Sequence, residues 1–159
     1  MADLVTLLNT DNGVREAARG TVSDMPRLVV SRSSGTGFQT VGQTFTIIQV
    51  NSVMLDNKSR WDAPNFSWVV PETGTYEVNG KIRLADGDYS GLSYGLGMDI
   101  INQDNAGFFW GQGARSRQGL FNSRIINLAA GDRLRLYAYV DNPSGVPVTN
   151  AELNAVRIA

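Results

Sequence analysis

Residues 71–87 read PETGTYEVNGKIRLADG, and they contain the pattern that decides the fold class. Pro71 to Gly74 is typical of a turn. The residues that follow alternate, with one apolar set formed by Tyr76, Val78, Ile82 and Leu84. The intervening set is polar and consists of Glu77, Asn79, Lys81 and Arg83. Because successive side chains of a strand point to opposite faces, this stretch predicts a half-buried antiparallel strand.

The same period of two extends from Pro26 to the end of the chain. A second apolar set consists of Leu134, Leu136, Ala138 and Val140. It alternates with Arg133, Arg135, Tyr137 and Tyr139. Residues 43–55 read as one long β-rich run. Turn residues rich in Asp, Asn and Gly recur at intervals of about 8–15 residues, which favours a sandwich of short strands. The 159 residues fit one domain, which we place at residues 27–159.

Composition excludes several function classes. The formal net charge is −1, so there is no basic field to attract nucleic acid or an anionic membrane. The chain contains no Cys and no His, which removes thiol nucleophiles, thiolate metal sites and the commonest general base. Paired carboxylates remain, but most Asp residues stand in turn contexts, where their side chains bond nearby backbone. We therefore expect no enzyme and no cofactor.

One short segment resembles the start of a calcium loop. Asp86 to Ser90 offers oxygen donors at alternate positions, but Gly97 stands at the twelfth position, where a bidentate Glu is required. We therefore expect no metal site.

Residues 1–26 differ from the rest of the chain. They contain a small apolar cluster, Leu4, Val5, Leu7 and Leu8, followed by residues sufficient for only one or two helical turns. A helix that short is marginal in water, so we interpret the segment as an anchoring arm that becomes ordered on a partner. The alternative is a frayed terminus. The segment lacks the basic and long apolar regions of a signal peptide, and we expect synthesis in a cytoplasm.

Two motifs resemble the tumour necrosis factor and complement globular-head superfamily. Arg60-Trp61-Asp62, followed by the stretch from Phe66 to Tyr76, is similar to that superfamily's aromatic-Asp turn, its Phe-x-x-Pro strand and its x-x-Gly-x-Tyr strand opening. The stretch from Phe121 to Leu134 resembles its strand, Leu-x-x-Gly-Asp-x-Leu turn and following strand. The resemblance covers residues 27–159.

The resemblance implies an all-β, ten-strand antiparallel jelly-roll sandwich that forms a homotrimer. It places Phe121 near the three-fold axis, with Ser123 and Ile125 beside it and Leu153 of the last strand joining them. Glu77, Asn79 and Lys81 would face neighbouring subunits. Because superfamily members often have apolar residues at Glu77 and Asn79, we expect a wetter contact or one closed by Glu77–Lys81 pairing. The alternative is a solvated face of a monomer.

A second surface is predicted around three consecutive aromatics, Phe108-Phe109-Trp110. Three adjacent side chains cannot all face one side of a strand, so at least one is expected at a contact or binding surface. Arg115 and Arg117 follow on alternate positions. We consider Trp110, Arg115 and Arg117 a possible ligand surface, with solvated loop charges as the alternative.

These features favour a structural protein of a virion, assembled in the host cytoplasm. In this hypothesis the protein is a trimeric capsid decoration (cement) or head-fibre protein of a bacteriophage, and its arm docks on the major capsid protein or another virion protein. The competing hypothesis is a tail-fibre or receptor-binding tip that recognises a host glycan or protein, since fold does not fix function. A bacterial protein of the same fold with another partner is the third alternative.

Overall fold

The computed structural model describes residues 24–32, 39–87, 92–100 and 119–159, and for residues 94 and 97–100 it describes the backbone only. Eleven strands lie in this part of the chain: β1 Arg27–Arg32, β2 Gln39–Val41, β3 Thr46–Ile47, β4 Ser52–Asp56, β5 Trp61–Asp62, β6 Ser67–Val69, β7 Gly74–Leu84, β8 Tyr94–Ile100, β9 Gly119–Leu128, β10 Arg133–Val140 and β11 Val146–Arg157. One 3₁₀ turn, Ala63–Asn65, follows β5.

The strands form two antiparallel sheets. The first has the order β4-β1-β11-β7-β9, with β2 also pairing with β11. The second has the order β3-β10-β6-β5, with β8 along the other edge of β10. This arrangement confirms the predicted all-β antiparallel sandwich, although the described residues hold eleven strands where ten were expected.

The hydrophobic core fills the space between the two sheets. The predicted apolar alternations are confirmed, because Tyr76, Val78, Ile82 and Leu84 of β7 are all buried. The apolar residues of β10 face them from the second sheet and are buried as well. Trp68 and Tyr76 meet edge to face with their ring centroids 5.8 Å apart. The Tyr76 hydroxyl donates to the backbone carbonyl of Glu72 at 2.6 Å, so this buried polar atom is satisfied.

The predicted β-rich run over residues 43–55 contains two strands, and these lie in different sheets. β3 pairs with β10 in the second sheet, whereas β4 pairs with β1 in the first. The chain crosses between the sheets near Ile48, whose amide donates to Leu136, and Asn51, whose amide donates to Ser31. A local period of two cannot reveal such a crossing, because it does not specify which strand of which sheet a segment pairs with.

The turn from β9 to β10 is held by hydrogen bonds within the turn and to the end of β6. The buried carboxylate of Asp132 accepts from the Ala129 amide at 2.8 Å, and Gly131 adopts a φ of +92°, which favours glycine. The Gly131 amide donates to Val70, and the Val70 amide donates to Asp132, each at 2.8 Å. These bonds join the turn to the end of β6.

Candidate interaction face

Six of the seven residues predicted for the trimer contact lie together on one surface. β9 pairs with β7 so that Lys81 lies opposite Phe121, Asn79 opposite Ser123 and Glu77 opposite Ile125. These six side chains have the parity that points away from the core. We call this surface the outer face and include Glu152 and Asn154 of β11, which pair with Lys81 and Asn79.

β9 forms the exposed margin of the outer face. It is the last strand of the first sheet among the described residues and pairs there with β7. Phe121 is 65% exposed and Ile125 is 67% exposed, although both are large apolar side chains on an edge strand. Such an edge is a template for association, and exposed apolar surface of this kind marks interaction sites.

A charged network crosses the middle of the outer face. Lys81 Nζ lies 2.6 Å from Glu152 Oε2, and Asn154 Nδ2 donates to the other carboxylate oxygen of Glu152 at 2.8 Å. Partial burial raises the pKa of Glu152, but the hydrogen bonds from Lys81 and Asn154 outweigh it, so the pKa is lowered overall. Lys81 is therefore paired within the chain, and its nearest acid is Glu152 of β11 and not Glu77.

The polar centre of the face contains an unused acceptor. Asn79 Nδ2 donates to Glu77 Oε1 at 3.3 Å, whereas the Asn154 side-chain oxygen is buried with no hydrogen-bond partner. Buried polar atoms are normally paired, so this oxygen is an exception among the polar atoms of the outer face.

The prediction for Leu153 is wrong. Its side chain is fully buried in the core, because Leu153 pairs with Val30 and Gly80, which have the inward parity. Sequence reasoning missed Glu152 and Asn154, which stand on either side of it. The signal was present, since residues 151–155 read AELNA and alternate between apolar and polar.

Several predicted site residues lie outside the described part of the chain. These are the arm residues Leu4, Val5, Leu7 and Leu8, the ligand-surface residues Trp110, Arg115 and Arg117, and the end of the calcium-like segment from Asp88. Within the described ranges, no group of three or more acidic side chains is placed to hold a metal ion. No helix in those ranges has the length and apolar character needed to cross a bilayer.

Comparison with known proteins gives similarity in structure only. No protein-family model matches the sequence, and no curated protein matches it. Among solved structures, the globular domain of zebrafish complement 1qA protein matches with a TM-score of 0.59 and 15% identity, over 86% of this chain and 98% of that one. The vertex protein P5 of bacteriophage PRD1 matches with a TM-score of 0.61 and 14% identity, over 84% of this chain and 97% of that one. These similarities establish the fold: this chain is a jelly roll similar to the complement globular domain and to the phage vertex protein.

Proposed function

We propose that this chain is a non-enzymatic structural protein of a virus particle and that it works as a homotrimer. The observation that carries the proposal is the apolar edge strand β9, with Phe121 and Ile125 exposed, on a fold shared with a bacteriophage vertex protein. A chain that remained a monomer would leave this edge in water. Three copies around an axis bury it without leaving an open end, because the contact closes on itself.

The polar part of the outer face is compatible with burial in such a trimer. Moving an unpaired charge out of water is costly, whereas a paired and hydrogen-bonded charge costs much less. Lys81 already has Glu152 as its partner, and Glu152 has Asn154 as a second donor. The neighbouring subunit therefore does not have to neutralise Lys81, and Glu77, Asn79 and Ser123 can line a partly hydrated contact.

The second part of the proposal concerns attachment. Residues 1–26 serve as the anchoring arm, and Leu4, Val5, Leu7 and Leu8 contact the major capsid protein or another virion protein. Each arm supplies a weak contact, but three arms on one rigid trimer act together. The effective concentration of the second and third arms can raise the overall affinity by roughly 10²–10⁴. A decoration or head-fibre protein assembled on the particle in the host cytoplasm fits this design.

The test separates arm docking from receptor binding. The chain lacking residues 2–23, which keeps Asp24, is mixed with particles of the parent virus that lack this protein, and binding is measured by co-sedimentation. We expect the truncated chain to remain trimeric and to lose binding. A matched pair, Leu4→Asp with Leu8→Asp against Thr6→Asp with Thr10→Asp, separates loss of apolar contact from added charge.

Two outcomes contradict the docking proposal. The first is full decoration of the particles by the truncated chain. The second is binding to a host glycan that is lost in Trp110→Ala or Arg115→Ala, which would favour a receptor-binding tip.

A further inference from the structure

The edge strand β4 lies at the opposite margin of the first sheet from β9. β4 pairs with β1, and no other described strand pairs with it. Val53, Met54 and Leu55 are 44%, 69% and 40% exposed, so three consecutive apolar residues of an edge strand face water. Natural proteins usually cover or charge such an edge, because it pairs readily with another extended segment.

A groove lies beside this edge. It has a volume of about 350 Å³ and is lined by Val53, Met54, Leu55, Asp56, Ser59 and Trp61. The Asp56 carboxylate is already occupied, since it accepts from the amides of Arg60 at 2.6 Å and Trp61 at 2.7 Å. A free strand edge and apolar walls together fit an extended apolar peptide.

The first described residues, Asp24 and Met25, lie beside the turn that follows β4. Lys58 Nζ lies 3.0 Å from the Asp24 carboxylate and 3.4 Å from that of Glu72, and the hydrogen bond to Asp24 raises the pKa of Lys58. Asn57 Nδ2 donates to the Met25 carbonyl at 2.8 Å. Residues 1–23 therefore join the domain beside the turn that closes β4.

The arm has ample length to reach the groove. Fifteen residues separate Leu8 from Asp24, and an extended chain of that length spans up to about 50 Å. The five residues of β4 extend over only about 17 Å. A tether of this length keeps its apolar end near the groove at an effective concentration on the order of millimolar, which favours the chain's own arm over a free partner.

We propose that residues 3–8 of the same chain, DLVTLL, pair as an added strand with the free edge of β4 in the unassembled protein. The leucines cover Val53, Met54 and Leu55. This contact goes beyond the proposed function and does not depend on it. Because it uses the same leucines as the proposed particle contact, docking on a particle would release the β4 edge.

The experiment compares amide hydrogen exchange of residues 52–56 in the full chain and in the chain lacking residues 2–23, without any particle. We expect the amides on the free edge of β4, which do not bond to β1, to be protected in the full chain and to lose that protection on truncation. A synthetic peptide of residues 2–12 added to the truncated chain should restore it. Met54→Asp should abolish peptide binding, whereas the control Thr44→Asp, at an exposed residue outside the groove, should not.

Either of two results would overturn the inference. Equal exchange of residues 52–56 in the full and truncated chains means that the arm does not cover β4. Protection that increases with protein concentration means that the arm of a neighbouring subunit occupies the groove. Neither result bears on particle binding, which co-sedimentation measures separately.

Discussion

Gly74 shows how one residue can have a role that its local sequence does not reveal. The sequence identifies it as the end of a turn, which is correct, since it opens β7 directly after Pro71-Glu72-Thr73. The structure adds that the C-terminal end of the chain passes close to it. A Cβ at residue 74 would lie 2.5 Å from the Ala159 carbonyl oxygen and against the Arg157 side chain. This crowding involves residues far apart in sequence, so a local pattern cannot predict it.

Gly74→Ala should therefore lower the free energy of unfolding by about 1–3 kcal/mol, as expected for overpacking of a tight contact. Urea unfolding measures the change. Gly119→Ala is the matched control, because its nearest contact to a new Cβ is 3.8 Å, an ordinary distance. Equal stability of the two variants would show that Ala159 and Arg157 do not crowd a side chain at residue 74.

Asp62 makes a contact between strands that depends on pH. Its carboxylate accepts from Arg133 of β10, and Asn65 Nδ2 donates to it at 2.8 Å. The hydrogen bond from Arg133, followed by that from Asn65, holds the pKa of Asp62 below its ordinary value of 3.8. A carboxyl whose folded pKa is lowered stabilises the fold above its unfolded pKa, and this contribution disappears as pH falls through the folded pKa.

Asp62→Asn should accordingly be less stable than the unchanged chain at neutral pH, where the carboxylate is ionised. The difference should shrink as the pH is lowered below the ordinary range of Asp. Thermal unfolding of both proteins across this pH range provides the measurement. A difference that stays constant down to acid pH would show that the charge of Asp62 does not contribute.

At the scale of the element, β7 and β11 show what alternation can and cannot predict. In β7 the apolar and polar sets are long and unbroken, so the sequence predicts which side chains face the core. In β11 the resemblance placed Leu153 outward, whereas its neighbours Ala151 and Ala155 have the same parity and are buried with it. Applying the period of two to residues 151–155 would have selected Glu152 and Asn154 as the outward residues.

The pair of Lys81 and Glu152 joins β7 to β11 across the outer face. A cross-strand pair of opposite charge contributes about 0.2–1 kcal/mol, and more when its surroundings are desolvated. A double-mutant cycle of Lys81→Met, Glu152→Met and both together should therefore give a favourable coupling energy of about 0.2–1 kcal/mol or more. The double variant should be more stable than the sum of the single changes predicts. Additive single changes would contradict a direct interaction between the two side chains.

At the scale of the whole molecule, the sequence predicts the fold class better than the surfaces. Alternation and turn spacing are local, and they indicate two antiparallel sheets around a core. The division of residues 43–55 between the sheets depends on contacts of Ile48 and Asn51 with distant strands, so it required the structure. The exposure of β4 likewise follows from sheet order, which no local pattern contains. Strict alternation in β7 predicted Glu77, Asn79 and Lys81 as outward residues, whereas the resemblance placed Phe121, Ser123 and Ile125. The pairing of β7 with β9 brings the two sets together.

The central claim is that the outer face joins three copies of this chain through β9. Light scattering during size-exclusion chromatography tests it most directly, on the unchanged chain, on Phe121→Asp with Ile125→Asp, and on the control Thr44→Asp. All three changed residues are exposed, so the fold should persist. We predict a mass about three times 17.3 kDa for the unchanged chain and the control, and a monomer for the β9 variant. A monomeric unchanged chain, or a β9 variant that remains a trimer, would contradict the claim.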